Sequence, residues 1–257
     1  MNSSVPPPAM PPDPPGTAGH DAQHAIIERL AALELFSDLG HEDLARIGLG
    51  ARHRSLEAGE ALWFAGEAAA HFAVIERGVV QIRQMTPTGE GVVVGLFRTG
   101  EVIGLAAALE HSVFPADAIA IGGQVDVLWV RAAALRDALP ASAAISLVVN
   151  RALLRHTAAL RAKIDIVSAG SVPRRLAALM YYLIERFGSP TGPGAVAVDL
   201  TLSREEISQL VSARVETVIR ILSRWQKAGW LATRPDGFEI MRVDMLRRIL
   251  ETSERGA

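Results

Sequence analysis

Apolar positions along the chain change their period twice. From residue 24 to 49 they recur at helical spacing, with Leu33, Phe36, Leu39, Leu44 and Ile47 as anchors of one or two short helices. From Arg52 to Val130 they fall into short alternating or apolar runs, among them ALWFAG, HFAVIERGVVQIRQM, GVVVGLF, DAIAIG and QVDVLWV. Glycines at 59, 66, 78, 89, 91, 100, 104, 122 and 123 separate these runs, which is how turns punctuate antiparallel strands. This texture predicts a small β-barrel or roll of about eight strands.

Helical spacing returns after Ala132. The stretch from 141 to 170 contains no proline, and Ile145, Val148, Val149, Ala152, Leu153, His156, Ala159, Leu160 and Ile164 form a nearly continuous apolar stripe. So long a helix with so apolar a stripe predicts a coiled-coil-like homodimer; burial of the stripe within its own subunit is the alternative. Ser168 to Ser171 reads as a hinge, and Pro173 suits the first turn of the next helix, VPRRLAALMYYLIERFG. GSPTGPGAVAV then predicts a loop and a short strand.

TLSREEISQLV carries a capping box, Ser203 followed by Glu206, so a helix starts there with two of its N–H donors satisfied. A break at Ser212-Ala213 leads into VETVIRILSRWQK, whose apolar positions Val215, Val218, Ile221, Leu222 and Trp225 share one face. LATRPDGFEIM is two extended runs around Pro235-Asp236-Gly237, a hairpin signal. Helix, tight turn, helix and hairpin make a winged helix-turn-helix, whose second helix enters the major groove N-terminus first.

Composition narrows the class. The chain has 257 residues, of which 49% are hydrophobic, enough for a substantial core. With no cysteine it has no disulfide framework, no thiolate-held zinc or iron–sulfur centre and no cysteine nucleophile. MNSSVPPPAMPPDPPGTAGHDAQ lacks the basic and apolar regions of a secretory signal, and its prolines predict a disordered tail over 1–23. No apolar run is long enough to span a membrane, which points to a cytoplasmic protein. The net charge is −2, but residues 151 to 234 hold 13 Lys or Arg against 6 Asp or Glu, net +7, leaving −9 elsewhere. A basic segment on an acidic body suits a regulator with one end on nucleic acid.

Glu216 and Arg220 stand four apart on the second helix. They form either a surface i,i+4 pair or a base-reading pair, the guanidinium matching guanine O6 and N7 and the carboxylate accepting from cytosine N4. Arg214, Thr217, Ser203, Arg224 and Lys227 suit phosphate contacts, which add affinity and salt dependence without direct readout.

The roll, the long helix and LSREEISQLVSARVETVIRILSRWQKAGWL together resemble the Crp/Fnr family of bacterial transcription regulators over about residues 30 to 250, with VETVIRIL and WQKAGWL the most specific pieces. The resemblance implies an α+β protein: a tail (1–23), a cyclic-nucleotide-binding-like sensory β-roll (24–140), a long dimerisation helix (141–170) and a C-terminal winged helix-turn-helix (171–257). It implies a homodimer on double-stranded DNA, with RNA polymerase as a further partner. Glu216 and Arg220 match the family's readers of a TTGA-type half-site. Val215 sides with the Fnr branch, whereas Ile219 stands where a base-reading Ser is common and Ser212 where the turn usually has Gly.

Family members that bind cyclic nucleotides place a Glu after G-E-x-x-G and an Arg-Ser or Arg-Thr some residues later. In GEVIGLAAALEHSVFPADAIAI, Gly100, Glu101 and Gly104 keep the turn, but Leu105 fills the Glu position and Phe114-Pro115-Ala116-Asp117 replaces the Arg pair. A cyclic phosphate would meet no guanidinium and a nearby carboxylate, so cyclic nucleotide is disfavoured. The expected effector pocket comprises Gly104, Leu105, Phe114, Asp117 and His111. Haem stays open as a cofactor, with His53, His71, His111 and His156 as candidate axial ligands.

No nucleophile elbow, P-loop, Rossmann fingerprint or His-Glu-x-x-His helix is present, so no enzymatic activity is expected. The competing reading is a cupin-like ligand- or metal-binding roll whose C-terminal helices serve assembly.

Overall fold

A computed structural model describes residues 18–86, 89 and 91–251. The proline-rich stretch lies outside the described residues. α1 (Ala18–Ala31) covers residues 18–23, which the sequence pattern places in the disordered tail; it begins beyond the last proline of that stretch and buries Ile26 and Leu30. A 3-10 turn (Glu34–Phe36) and α2 (His41–Ile47) follow, burying Phe36, Leu39, Leu44 and Ile47 as the periodicity predicts.

The roll contains β1 (Arg52–Leu56), β2 (Ala61–Trp63), β3 (His71–Met85), β4 (Gly91–Arg98), β5 (Val102–Ile103) and β6 (Asp117–Arg131). All pairings are antiparallel, in the order β1-β6-β3-β4, with β2 on β6 and β5 on β3. The described strands number six rather than the expected eight or so. DAIAIG and QVDVLWV are one strand: Gly122 and Gly123, both at positive φ, bend β6 without ending it, and its pairing with β3 resumes beyond them. A short helix unmarked by the sequence pattern, α3 (Leu105–Leu109), packs on β3, and α4 (Ala132–Ala138) begins where helical spacing returns.

The long helix is α5 (Ala143–Ser168), capped by Ser142, whose hydroxyl accepts from the Ile145 N–H and donates to Asp43. Its apolar stripe corrects the expected dimer seam. Ile145, Val148, Val149, Ala152 and Ala159 are buried in the same core as the roll, so that face is filled from within the subunit. At 100° per residue, Leu147 and Leu154 fall on the opposite side, 58% and 69% exposed; Ile164, counted in the stripe, is itself 60% exposed.

After Gly170 at φ 94°, α6 (Val172–Phe187) starts with a proline in its first turn. GSPTGPGAVAV folds as two strands, β7 (Gly188–Gly192) and β8 (Ala195–Val198), rather than a loop and one strand. Then come α7 (Arg204–Val211), α8 (Val215–Lys227), β9 (Leu231–Arg234), β10 (Gly237–Ile240) and α9 (Val243–Glu251). The sheet order β7-β8-β10-β9 gives the expected hairpin two further strands to rest on. Val79, Val93, Leu96 and Ile121 of the roll share a second core with these C-terminal elements. Arg186 of α6 donates to Glu101 at 2.6 Å, and Arg98 donates to the Arg186 carbonyl at 2.6 Å, tying the two parts together. No described helix is long and apolar enough to cross a membrane.

Candidate nucleic-acid interface and sensory cavity

The helix pair begins with the capping box read from sequence. Ser203 Oγ accepts from the Glu206 N–H at 3.1 Å, while Glu206 accepts from the Ser203 N–H at 2.7 Å. Ser208 is buried at the base of the turn, and its carbonyl accepts from the Ala213 N–H. Ser212 ends α7 in the left-handed conformation, φ 49° and ψ 57°, the geometry for which glycine is preferred.

α8 buries Val218, Ile221, Leu222 and Trp225. Its anchoring continues into the hairpin, where the Trp225 and Trp230 rings lie 6.2 Å apart and Gln226 donates to Thr233 at 2.7 Å. With that face fixed, Glu216, Ile219 and Arg220 project outward and are exposed. Glu216 and Arg220 are not drawn together as an ion pair, and neither pairs with any other described residue. Arg214, Arg224, Lys227 and Ser203 are exposed as well, whereas Val215 and Thr217 are half-buried at the start of the helix.

Two basic residues fix the turn from behind. Lys163 of α5 donates to the carbonyls of Gln209 and Leu210 at 2.9 and 2.6 Å. Arg175 of α6 donates to the Ser212 and Gly170 carbonyls at 3.1 and 2.8 Å. Both place positive charge at the C-terminal end of α7, where carbonyls lack intrahelical donors. Sequence reasoning missed them; the available signal was a lysine within the long helix and paired arginines just past the hinge.

Between the roll and α5 lies a cavity of about 230 Å³. Gly104, Leu105 and Phe114 line it as expected, but Asp117 and His111 do not. Asp117 is buried on the other face of β6, away from the roll interior, accepting from the Ala65 N–H at 2.9 Å and from Arg83 at 3.2 Å. His111 is exposed, at φ 54° in the loop after α3. The histidine that does face the cavity is His156 of α5, stacked on Phe97 with centroids 5.1 Å apart; burial holds its pKa below the ordinary value.

At about 230 Å³ the cavity is smaller than a haem macrocycle needs, and His156 is the one histidine among its described lining residues. His71 stacks on Trp129, and His53 lies between Glu76 and Asp126, away from the cavity. Among the described residues no group of three or more His, Asp or Glu could hold a metal ion.

A roll joined by one long helix to a winged helix-turn-helix with an outward recognition face is the architecture of a DNA-binding regulator. Comparison with known proteins places it further. Residues 174–249 match the Crp-like helix-turn-helix domain, and residues 53–142 match the cyclic nucleotide-binding domain. The fumarate nitrate reduction regulatory protein of Klebsiella oxytoca is 24% identical over 199 residues, 77% of this chain and 78% of its own length. A CRP-like cAMP-activated global transcriptional regulator of Mycobacterium tuberculosis is 27% identical over 189 residues, 74% of this chain and 83% of its own. A CRP-family transcriptional regulator from Thermus thermophilus shares the fold, with a TM-score of 0.65 at 20% identity over 79% of this chain and all of that one. The chain belongs to the Crp/Fnr family of transcription regulators and carries its helix-turn-helix DNA-binding domain.

Proposed function

We propose that the protein binds an inverted repeat close to TTGA-N6-TCAA as a homodimer, with Glu216 and Arg220 reading bases in each half-site. The observation that carries this reading is the unpaired, exposed Glu216–Ile219–Arg220 face of α8, held rigid by the four buried residues beneath it. A charged side chain left without an intramolecular partner is free to give its hydrogen bonds to a base edge. Val215 and Ile219 flank the pair and tune the neighbouring base, while Ser203, Arg214, Thr217, Arg224 and Lys227 supply phosphate contacts.

Dimerisation uses the exposed side of α5, where Leu147 and Leu154 stand one heptad apart. The two recognition helices then meet half-sites one helical turn apart. The division of labour follows the reading of the sequence: a sensory roll over 24–140, a connecting helix over 141–170 and the DNA reader from 171. RNA polymerase is the further partner, and no catalytic step is assigned.

The roll does not use a cyclic nucleotide. Leu105 and Phe114 occupy its wall, and the cavity lining contains no Arg or Lys to meet a cyclic phosphate. Fluorescence anisotropy of the purified protein on a TTGA-N6-TCAA duplex and on a scrambled one, at near-physiological salt, tests the DNA reading. Selective binding supports it; equal binding to both duplexes, with and without ligands of the roll, sinks it.

A further inference from the structure

The cavity between the roll and α5 is built from two aromatic pairs and aliphatic side chains. Trp63 stacks on Phe114 with centroids 4.1 Å apart and planes inclined by 12°, and Phe97 stacks on His156 at an inclination of 17°. Leu105 and Leu160 are among the aliphatic residues that complete the walls. No Asp, Glu, Lys or Arg reaches the lining. Its polar side chains are Gln84, itself exposed, and His156; the indole N–H of Trp63 is already committed to the Ala116 carbonyl at 3.0 Å.

These features select a ligand by chemistry. An anion would leave water and meet no opposing charge, a cost the site cannot offset. Burial keeps His156 in its neutral form at neutral pH, leaving one ring nitrogen to accept a hydrogen bond. Flat aromatic walls favour a flat aromatic guest. A cavity of about 150 Å³ takes benzene, so 230 Å³ leaves room for a fused bicycle of about nine to eleven heavy atoms.

From this geometry we infer that the roll binds a neutral, flat aromatic molecule of bicyclic size, carrying one hydroxyl or N–H donor that meets His156. The ligand bridges the roll and α5, and the same helix presents Leu154 outward and Lys163 to the end of α7. Occupancy therefore acts on the helix that connects the roll with the DNA reader, a consequence that rests on the regulator reading; the ligand class itself does not.

The test uses 2-naphthol, naphthalene and trans-cinnamate as probes, all within that size and the last an anion, titrated calorimetrically into the protein. The expected result is saturable binding of 2-naphthol at one site per chain, with cinnamate far weaker. Leu160→Trp fills the cavity and abolishes the heat. His156→Phe keeps the volume apolar and weakens 2-naphthol by about fivefold while sparing naphthalene, as loss of one hydrogen bond requires. The inference is overturned if wild type takes up no 2-naphthol, if cinnamate or cyclic AMP binds as tightly, or if both variants bind it unchanged. Should Leu160→Trp fail to fold, the two-probe comparison in His156→Phe decides alone. Duplex selectivity is measured separately: naphthol binding without it overturns the TTGA-site reading and leaves the ligand class standing, and the reverse pattern does the opposite.

Discussion

Lys163 Nζ lies 2.6 Å from the carbonyl oxygen of Leu210, so the connecting helix holds the last turn of α7 directly. Burial, reinforced by the nearby Arg175 guanidinium, lowers the Lys163 pKa to about 8. The unfolded chain keeps that proton to its ordinary value of about 10.5. Between those limits the unfolded state binds more protons, so this group makes stability rise with pH from about 8 to about 10.5. Lys163→Met should lose that rise. Urea midpoints for both proteins across this window give the difference directly, and burial of Tyr182, which raises its pKa, acts equally in both and cancels. Parallel pH profiles would mean that Lys163 does not titrate as placed.

Arg220 separates readout from affinity. Replacing it by Ala should cost about 1–3 kcal/mol on the specific duplex and almost nothing on random DNA, because a base contact is lost rather than a phosphate contact. Lys227→Ala should weaken both duplexes alike and flatten the dependence of affinity on salt. Anisotropy titrations at several salt concentrations distinguish the two; equal losses for Arg220→Ala on both duplexes would reassign it to the backbone.

Much of this architecture is legible in the sequence. The capping box at Ser203 and Glu206, the hinge before Pro173 and the hairpin at Pro235-Asp236-Gly237 are local signals, decided by residues a few positions apart, and each holds in the structure. What fails depends on tertiary context. Periodicity shows that α5 has an apolar stripe, but only the position of the roll decides that Ile145 and Val148 pack inward. Asp117 reads as a pocket residue because it follows Phe114 closely, yet strand alternation turns it to Arg83 on the opposite face of the sheet, while Ala116 and Ala118 face inward. His156, the histidine that lines the cavity, is far in sequence from the segment that marks the effector site; its place on the apolar stripe is legible, but only the fold brings it to that segment.

The exposed side of α5 makes a direct prediction about assembly. Leu147 and Leu154 are large apolar side chains left bare on a helix whose other face is turned to the roll. In a symmetric dimer each leucine lies near its own copy, so Leu154→Glu sets two carboxylates against each other in an apolar seam. Sedimentation velocity should show wild type as a dimer and the variant shifted to monomer, with circular dichroism unchanged because no intrasubunit contact is removed. A variant that stays dimeric would place the interface elsewhere.

Ser212 offers a test of the turn itself. At φ 49° its backbone sits in the left-handed region, which costs an ordinary L-residue about 1 kcal/mol and glycine almost nothing. The hydroxyl does little to offset that cost: it lies 3.5 Å from Lys163 Nζ, whose shorter bonds go to backbone carbonyls. Ser212→Gly should therefore stabilise the C-terminal part by up to about 1 kcal/mol, reduced by the extra freedom glycine gains in the unfolded chain. Chemical denaturation of the two proteins measures this. A destabilised Ser212→Gly would show that the hydroxyl contributes more to the Lys163 contact than its distance implies.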